Sequence, residues 1–273
     1  MNMRGEKVTA KLINGAEFLH IPKTGGCWVR EILEQNNLLL VNRRHLYYKH
    51  ADYDRNLFFP LTTFQEHLSE AARLFLAETR FSKLLQYWPK SSDNSVFRFC
   101  FVRHPLSWYE SWWKFMRAKE WNDWGVQNSQ QSWHPNAILN GLGSDDFNEF
   151  VRNVVKKRPG YVTELMFAYT KPGISFIGKT ENLKEDLIYV LDLLELKYDK
   201  ASIEQSGKSN VSETDPAEIR WDPDLYRTVM RLELPALLHF GYLSDEEKSD
   251  LGIKMPIMPN KALRSKGVPQ HQF

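Results

Sequence analysis

Phe18-Leu-His-Ile-Pro-Lys-Thr-Gly-Gly-Cys-Trp28 is the stretch on which the reading of the whole chain turns. An apolar run from Ala16 to Ile21 ends in Pro22-Lys23-Thr24-Gly25-Gly26. An amphipathic pattern then begins at once, with Val29, Ile32 and Leu33 at helical spacing over Trp28–Gln35. Strand, tight glycine turn and helix N-terminus in that order present several backbone N–H groups to an anion. Lys23 adds a positive charge on a flexible stem. A nucleotide phosphate or a phosphosulfate matches such a site.

Alone, a glycine turn after a strand is often only a turn. The order of residues also differs from the Walker pattern, in which the lysine follows the glycines, because Lys23 precedes them here. A second segment strengthens the reading. Val96–Val102 is a short β-rich run followed by Arg103-His104-Pro105, and Pro105 suits the first turn of a helix. Leu106, Tyr109, Trp112, Trp113 and Met116 then trace one apolar stripe. Arg103 therefore stands at the carboxyl end of a strand, where open α/β sheets bind ligands. Ser111 follows about two helical turns later. A guanidinium fork and a hydroxyl so placed can grip a further phosphate. The strand before Arg103 offers no terminal Asp for Mg²⁺, so the expected anion site works without a metal.

A third strand-to-helix unit runs from Ile174–Gly178 into a helix carrying Leu183, Leu187, Leu191 and Leu194. Alternating strands and helices predict an α/β fold, a single domain over 1–273 with a central parallel sheet flanked by helices. Its core spans about 16–242. Leu38–His50 reads as a further strand and 63–87 as a helical insertion. Residues 119–146 place Trp121, Trp124 and Trp133 among polar residues and glycine, the composition of a lid or substrate loop, or of a surface insertion pinned by tryptophans. Asp222-Pro223 caps a helix with Leu225, Val229 and Leu232 on one face, interrupted at Pro235. The polar stretch 261–273 reads as a flexible tail.

Composition sets the outer limits. The chain has 273 residues, is 42% hydrophobic and 13% aromatic, and carries a net charge of +2, which suits a globular protein without a general nucleic-acid surface. Two cysteines, Cys27 and Cys100, are too few for a disulfide framework and read as reduced, buried residues on or beside neighbouring strands. The N-terminus has no apolar signal core, and no apolar run reaches the ~20 residues that span a bilayer. A soluble, cytoplasmic protein without a membrane partner is expected. A homodimer remains open.

Together, the two anion-binding segments resemble those of the PAPS-dependent sulfotransferases, closest to the carbohydrate-type and bacterial branch. That family carries a His-Ile-Pro-Lys-Thr-Gly-Gly-Thr-type loop for the 5′-phosphosulfate and a Val-Arg-x-Pro segment, with Ser eight residues after the Arg, for the 3′-phosphate. Phe176-Ile-Gly-Lys-Thr-Glu-Asn-Leu183, Ser209-Asn-Val-Ser212 and His239-Phe-Gly-Tyr242 are similar to further family segments. Two positions depart from the pattern. Cys27 replaces the usual Thr or Ser, and the acidic residue upstream of Phe-Gly-Tyr is displaced to Glu233.

The resemblance implies a P-loop nucleotide-kinase-like fold and sulfuryl transfer from PAPS, with PAP as product, to a small-molecule or carbohydrate acceptor. In that reading Lys23 serves the bridging oxygen and 5′-phosphate. Thr24, Gly25, Gly26, Cys27 and Trp28 cradle the same end with their amides, and Arg103 and Ser111 fix the 3′-phosphate. Lys208 and Asn210 close over the phosphate side. The expected general base is His50, in a segment similar to the family's His-x-x-Tyr, with His20, His45 and then Glu17 as alternatives. His104 reads as a local packing residue, and Glu181 and Asn182 as the start of the third helix. An ATP-dependent small-molecule kinase and a non-catalytic nucleotide-binding protein are the rival classes.

Overall fold

The structure is a computed structural model that describes residues 10–42, 96–123, 134–170, 174–207 and 219–250. The chain divides into a large unit, Met1–Tyr242, and a short C-terminal unit, Leu243–Phe273. In the large unit the first described strand, β1 (Ala10–Leu12), turns through Asn14-Gly15 into β2 (Glu17–Leu19). Asn14 Oδ1 accepts the Ala16 amide at 3.1 Å and Leu12 donates to the Ala16 carbonyl at 2.8 Å, which closes the hairpin. Helix α1 (Gly26–Gln35) and β3 (Leu39–Asn42) follow. After β4 (Arg98–Val102) come α2 (Pro105–Arg117), a 3-10 turn at Pro135–Leu139, α3 (Phe147–Lys157) and α4 (Tyr161–Tyr169). β5 (Phe176–Lys179) leads through Thr180–Asn182 into α5 (Leu183–Leu193), α6 (Lys200–Gln205), α7 (Pro223–Leu232) and α8 (Leu234–His239). The small unit contributes α9 (Asp245–Asp250), started by a reciprocal Ser244–Glu247 capping pair.

The five described strands form one sheet in the order β3-β1-β2-β4-β5. The sheet is mixed, which corrects the expectation of a parallel one. β2, β4 and β5 are parallel, whereas β1 is antiparallel to both β2 and β3. The cause is the short Asn14-Gly15 connection, which can only join antiparallel strands; parallel neighbours need a long crossover. Where the crossovers exist, the alternation of strand and helix gives the expected parallel arrangement. Its register pairs Leu19 with Cys100 and Val102 with Lys179, so the carboxyl ends of β2, β4 and β5 lie side by side. That edge is where the two basic segments of the sequence emerge.

Strand alternation accounts for the core. Phe18, Phe99 and Phe101 pack with Val29, Ile32 and Leu33 of α1 and Leu187, Val190 and Leu191 of α5. Leu19, Cys100 and Val102, at the alternate positions, are equally buried. Both faces of the sheet are therefore covered, as a parallel segment requires. Of the two cysteines, only Cys100 fits the buried reading; Cys27 is exposed, because α1 begins two residues earlier than the apolar pattern suggests and turns this side chain outward. The predicted strand at Leu38–His50 is seen as Leu39–Asn42. Its remainder, the 63–87 insertion and the 261–273 tail lie outside the described residues.

The described parts of the segment 119–146 are less loop-like than its composition suggests. Pro135, Asn136, Ala137 and Leu139 are buried in the 3-10 turn, and Trp121 donates to Asp145 Oδ1 at 3.0 Å while packing on Phe150. Trp121 is thus a structural pin; Trp124 and Trp133 lie outside the described residues. Among the described residues no helix is long and apolar enough to cross a membrane.

One buried carboxyl ties three helices together. Pro235 interrupts the helical run as expected, which leaves Glu233 between α7 and α8, fully buried. Its Oε1 accepts from Tyr109 Oη (2.7 Å) and the Val162 amide (3.2 Å), and its Oε2 from the Thr163 amide (2.6 Å) and Thr163 Oγ1 (2.7 Å). The displaced acidic residue of the sequence therefore caps the N-terminus of α4 and anchors α2. Every oxygen faces donors, so an amide in its place would set N–H against N–H. Glu233→Gln is predicted to cost about 2–3 kcal/mol and to lower Tm by roughly 4–12 °C, checked by thermal unfolding. An unchanged Tm would remove the carboxyl from the scaffold.

Candidate active site

The turn after β2 is built to keep its amides available. Lys23 (φ 66°) and Gly25 (φ 80°) both adopt the left-handed conformation, and α1 starts at Gly26 without a side-chain cap. For Lys23 that conformation costs on the order of 1 kcal/mol, and two buried bonds hold it. Thr24 Oγ1 donates to the Ile21 carbonyl at 2.9 Å, and Trp108 Nε1 of α2 donates to the Pro22 carbonyl at 2.9 Å. Thr24 thus spends its hydroxyl on the turn itself. The amides of Gly26, Cys27 and Trp28 have no carbonyl four residues back within the helix, so they remain donors to the crevice. Trp28 contributes only its backbone there, because its indole is part of the core.

Gly25 and Gly26 are required sterically. A Cβ on Gly25 would meet Leu183 Cδ2 at 2.5 Å, and one on Gly26 would lie 1.9 Å from His20 Cδ2. The His20 ring is therefore pressed flat under the first turn of α1.

Two cations meet beside these amides. Lys23 Nζ lies 4.4 Å from the centre of the Phe115 ring, and Arg103 Nη1 donates to the Lys23 carbonyl at 3.3 Å. Burial pulls the Lys23 amine down to about 8, and the Arg103 charge pushes in the same direction. Arg103 is itself lowered by burial, opposed by Glu181, Glu110 and Tyr242. Ser111, half-buried, lies two turns further along α2. Desolvated like charges that sense one another are costly unless anionic groups join them.

The Arg103 turn is held from the neighbouring strand end. Thr180 Oγ1 donates to the Val102 carbonyl at 2.9 Å, and Glu181 Oε1 accepts the His104 amide at 2.9 Å. Tyr242 Oη donates to Glu181 Oε2 at 3.1 Å. Lys179 Nζ lies 4.7 Å from the Tyr242 ring centre and donates to the Gly241 carbonyl at 3.0 Å. Asn182 occupies the N-cap position of α5 without a side-chain cap bond, as a plain helix start, whereas Glu181 bonds the His104 amide and Tyr242, which corrects the sequence expectation for it. His104 packs edge-on against Tyr242, the local role expected of it.

Of the candidate bases, His20 lies within the site. Burial, followed by the charges of Arg30, His134 and Lys23, holds its pKa well below the usual imidazole value, so it is neutral at physiological pH. Glu17 is ion-paired with Arg98 Nε at 2.7 Å, at the start of β2 rather than its end. His50, His45, Lys208 and Asn210 lie outside the described residues.

A residue not anticipated from sequence is His134. It is buried, stacked on Trp112 with ring centres 5.9 Å apart, and pushed down to about 3 by burial. Its Nδ1 accepts the Asn136 amide at 3.1 Å, which leaves Nε2 as the N–H donor of the neutral ring. The signal was present in His134-Pro135-Asn136, where Pro at a first helical position marks a packed turn rather than a polar loop. Among the described residues no group of three His, Cys, Asp or Glu side chains is placed to hold a metal ion.

Gly26→Ala is predicted to destabilise by about 1–3 kcal/mol in urea unfolding, because the added methyl overlaps the His20 ring. Gly207→Ala, with nothing within 4 Å of its Cβ, serves as the neutral comparison. Equal behaviour of the two variants would contradict the packing described for the turn.

The sequence profile of the sulfotransferase family matches residues 17–219, a span that starts at β2 and includes the glycine turn, the Arg103 segment and β5. Searches of the curated proteins and of the solved structures find no match. With both basic strand ends inside a match covering most of the chain, this protein belongs to the sulfotransferase family.

Proposed function

We propose that this protein transfers the sulfuryl group of 3′-phosphoadenosine 5′-phosphosulfate (PAPS) to a hydroxyl or amine of a small-molecule or sugar acceptor. The observation that carries the reading is the meeting of Lys23 and Arg103, from the ends of two parallel neighbouring strands, beside the uncapped amides of α1. Two separate cationic points suit a donor with phosphate at both its 5′ and 3′ positions. PAPS supplies an activated sulfuryl group on a phosphate leaving group.

In this reading the amides of Thr24 to Trp28 bind the 5′ end. Lys23 neutralises the charge that develops on the bridging oxygen as the sulfur–oxygen bond to the nucleotide breaks and the bond to the acceptor forms. Arg103 and Ser111 bind the 3′-phosphate and fix the nucleotide's register. The acceptor's proton passes to a base, for which His50 is proposed. His20 is neutral and so chemically able to accept a proton, but it is pressed beneath Gly26 and better suited to supporting the turn.

Thermal unfolding with adenosine 3′,5′-bisphosphate (PAP), or with ATP and Mg²⁺, tests the donor class. PAP at a hundredfold excess over Kd is expected to stabilise by about 2.7 kcal/mol, without metal. Stabilisation by ATP and Mg²⁺ but not by PAP would favour a kinase and overturn the proposal. Lys23→Ala is expected to lower kcat by roughly 10²–10³-fold, the scale for a lost transition-state charge contact. A variant that turns over normally would relieve Lys23 of its role.

The pH dependence follows from the free-state Lys23 value of about 8. An anion favours the ammonium form and raises that pKa on binding, so above pH 8 the neutral amine must first take up a proton. PAP affinity is therefore expected to be level below about pH 7.5. It should then fall by up to roughly tenfold per pH unit above 8. Calorimetric Kd values from pH 7 to 9.5 check this. Lys23→Arg should abolish the decline, and a level wild-type profile would contradict it.

A further inference from the structure

The phosphate-binding arginine is held by a clamp made of two sequence segments that the proposed reaction does not itself use. Arg103 is flanked by two peptide planes, and each is fixed by a different residue of the dipeptide Thr180-Glu181. The Val102 carbonyl, on the plane before Arg103, accepts from Thr180 Oγ1 at 2.9 Å. The His104 amide, on the plane after it, donates to Glu181 Oε1 at 2.9 Å. Pairing of Val102 with Lys179 at the ends of β4 and β5 puts the dipeptide in position for both bonds.

The second carboxylate oxygen of Glu181 is also committed, to Tyr242 Oη at 3.1 Å. Tyr242 is positioned in turn by Lys179, whose ammonium lies 4.7 Å from its ring centre, and by a T-shaped contact with His104, ring centres 5.2 Å apart. The Glu181 carboxylate also acts on the Arg103 charge, holding the guanidinium in its protonated form against the cost of burial. With both flanking peptides fixed and Nη1 bonded to the Lys23 carbonyl at 3.3 Å, the side chain is held at its root and at its tip, which limits how far the guanidinium follows a misplaced phosphate. Such restriction sharpens discrimination, because a ligand is then favoured only where its anion meets the fork.

We propose that Thr180, Glu181 and Tyr242 are positioning residues for Arg103 that set selectivity for a nucleotide bearing a second, 3′-phosphate, a proposal that rests on the assignment of Arg103 to that phosphate. Tyr242 lets go of Glu181 when its hydroxyl is removed, and Glu181 then holds the His104 amide in a less defined geometry. The consequence falls on the Arg103 contact alone. The amide cradle at Thr24–Trp28, built on another strand end, keeps its structure.

The test compares calorimetric Kd values for PAP and adenosine 5′-monophosphate (AMP), which lacks the 3′-phosphate. They are measured on the full chain carrying Tyr242→Phe, Glu181→Gln, Arg103→Lys and the pair Tyr242→Phe/Arg103→Lys. The expected result is a PAP-over-AMP preference that falls about tenfold in Tyr242→Phe and in Glu181→Gln, with the AMP Kd unchanged. In the Arg103→Lys background, Tyr242→Phe should then cost little more, since both act on one contact. Equal weakening of PAP and AMP in the clamp variants would mean general structural support and overturn the proposal, as would an unaltered preference. A wild-type protein with no preference for PAP would instead overturn the assignment of Arg103. An unchanged AMP Kd also shows that a variant is folded, and if Glu181→Gln fails to fold, Tyr242→Phe carries the test.

Discussion

The hydrogen bond from the Arg103 guanidinium to the Lys23 carbonyl is the constraint around which the site is arranged. It brings the ends of β2 and β4 to one point and forces two cations into a largely desolvated crevice. Neither charge is neutralised there by a carboxylate partner of ordinary ion-pair geometry among the described residues. The cost appears in both side chains, whose protonated forms are disfavoured by burial. Anionic groups in the crevice, one at each cation, would relieve both penalties. The unfavourable electrostatics are thus stored where binding can release them, a common property of functional sites and an unusual one for a structural pair.

Most of the surrounding scaffold can be understood as holding that arrangement still. Trp108 pins the Pro22 carbonyl, and Thr24 ties the turn to the end of its own strand. Trp108 belongs to α2, whose neighbour Tyr109 bonds to buried Glu233 at the start of α8, and Glu233 also caps α4. The glycine turn is therefore linked through one helix to a polar anchor in the middle of the helical layer. From the other side, the turn after β5 supplies the residues that fix the Arg103 backbone. The two strand ends are thus buttressed by different elements, α2 and the turn after β5.

Much of this was legible in the sequence, and the limits of legibility have physical causes. The turn at Pro22–Gly26 and the Arg103-His104-Pro105 segment carry strong local signals, because left-handed glycine and proline at a first helical position depend on near neighbours only. The parallel trio β2, β4 and β5 followed from strands alternating with amphipathic helices. The antiparallel pairing of β1 did not, since three residues, Ala10–Leu12, are too few to show a period. Glu181 was read as a helix start because its two partners, His104 and Tyr242, lie 77 and 61 residues away. For His134 the local His-Pro-Asn signal marks a packed turn, but its stacking partner Trp112 lies 22 residues earlier on another element. Cys27 was misplaced by a helix boundary of two residues, enough to turn a side chain from core to solvent.

A crystal structure with adenosine 3′,5′-bisphosphate bound tests the central claim most directly. The account predicts the 5′-phosphate on the amides of Thr24–Trp28 with Lys23 Nζ lifted from Phe115 toward it, and the 3′-phosphate on Arg103. Density for the nucleotide away from these two strand ends, or a single phosphate bridging both cations with the other in solvent, would contradict it.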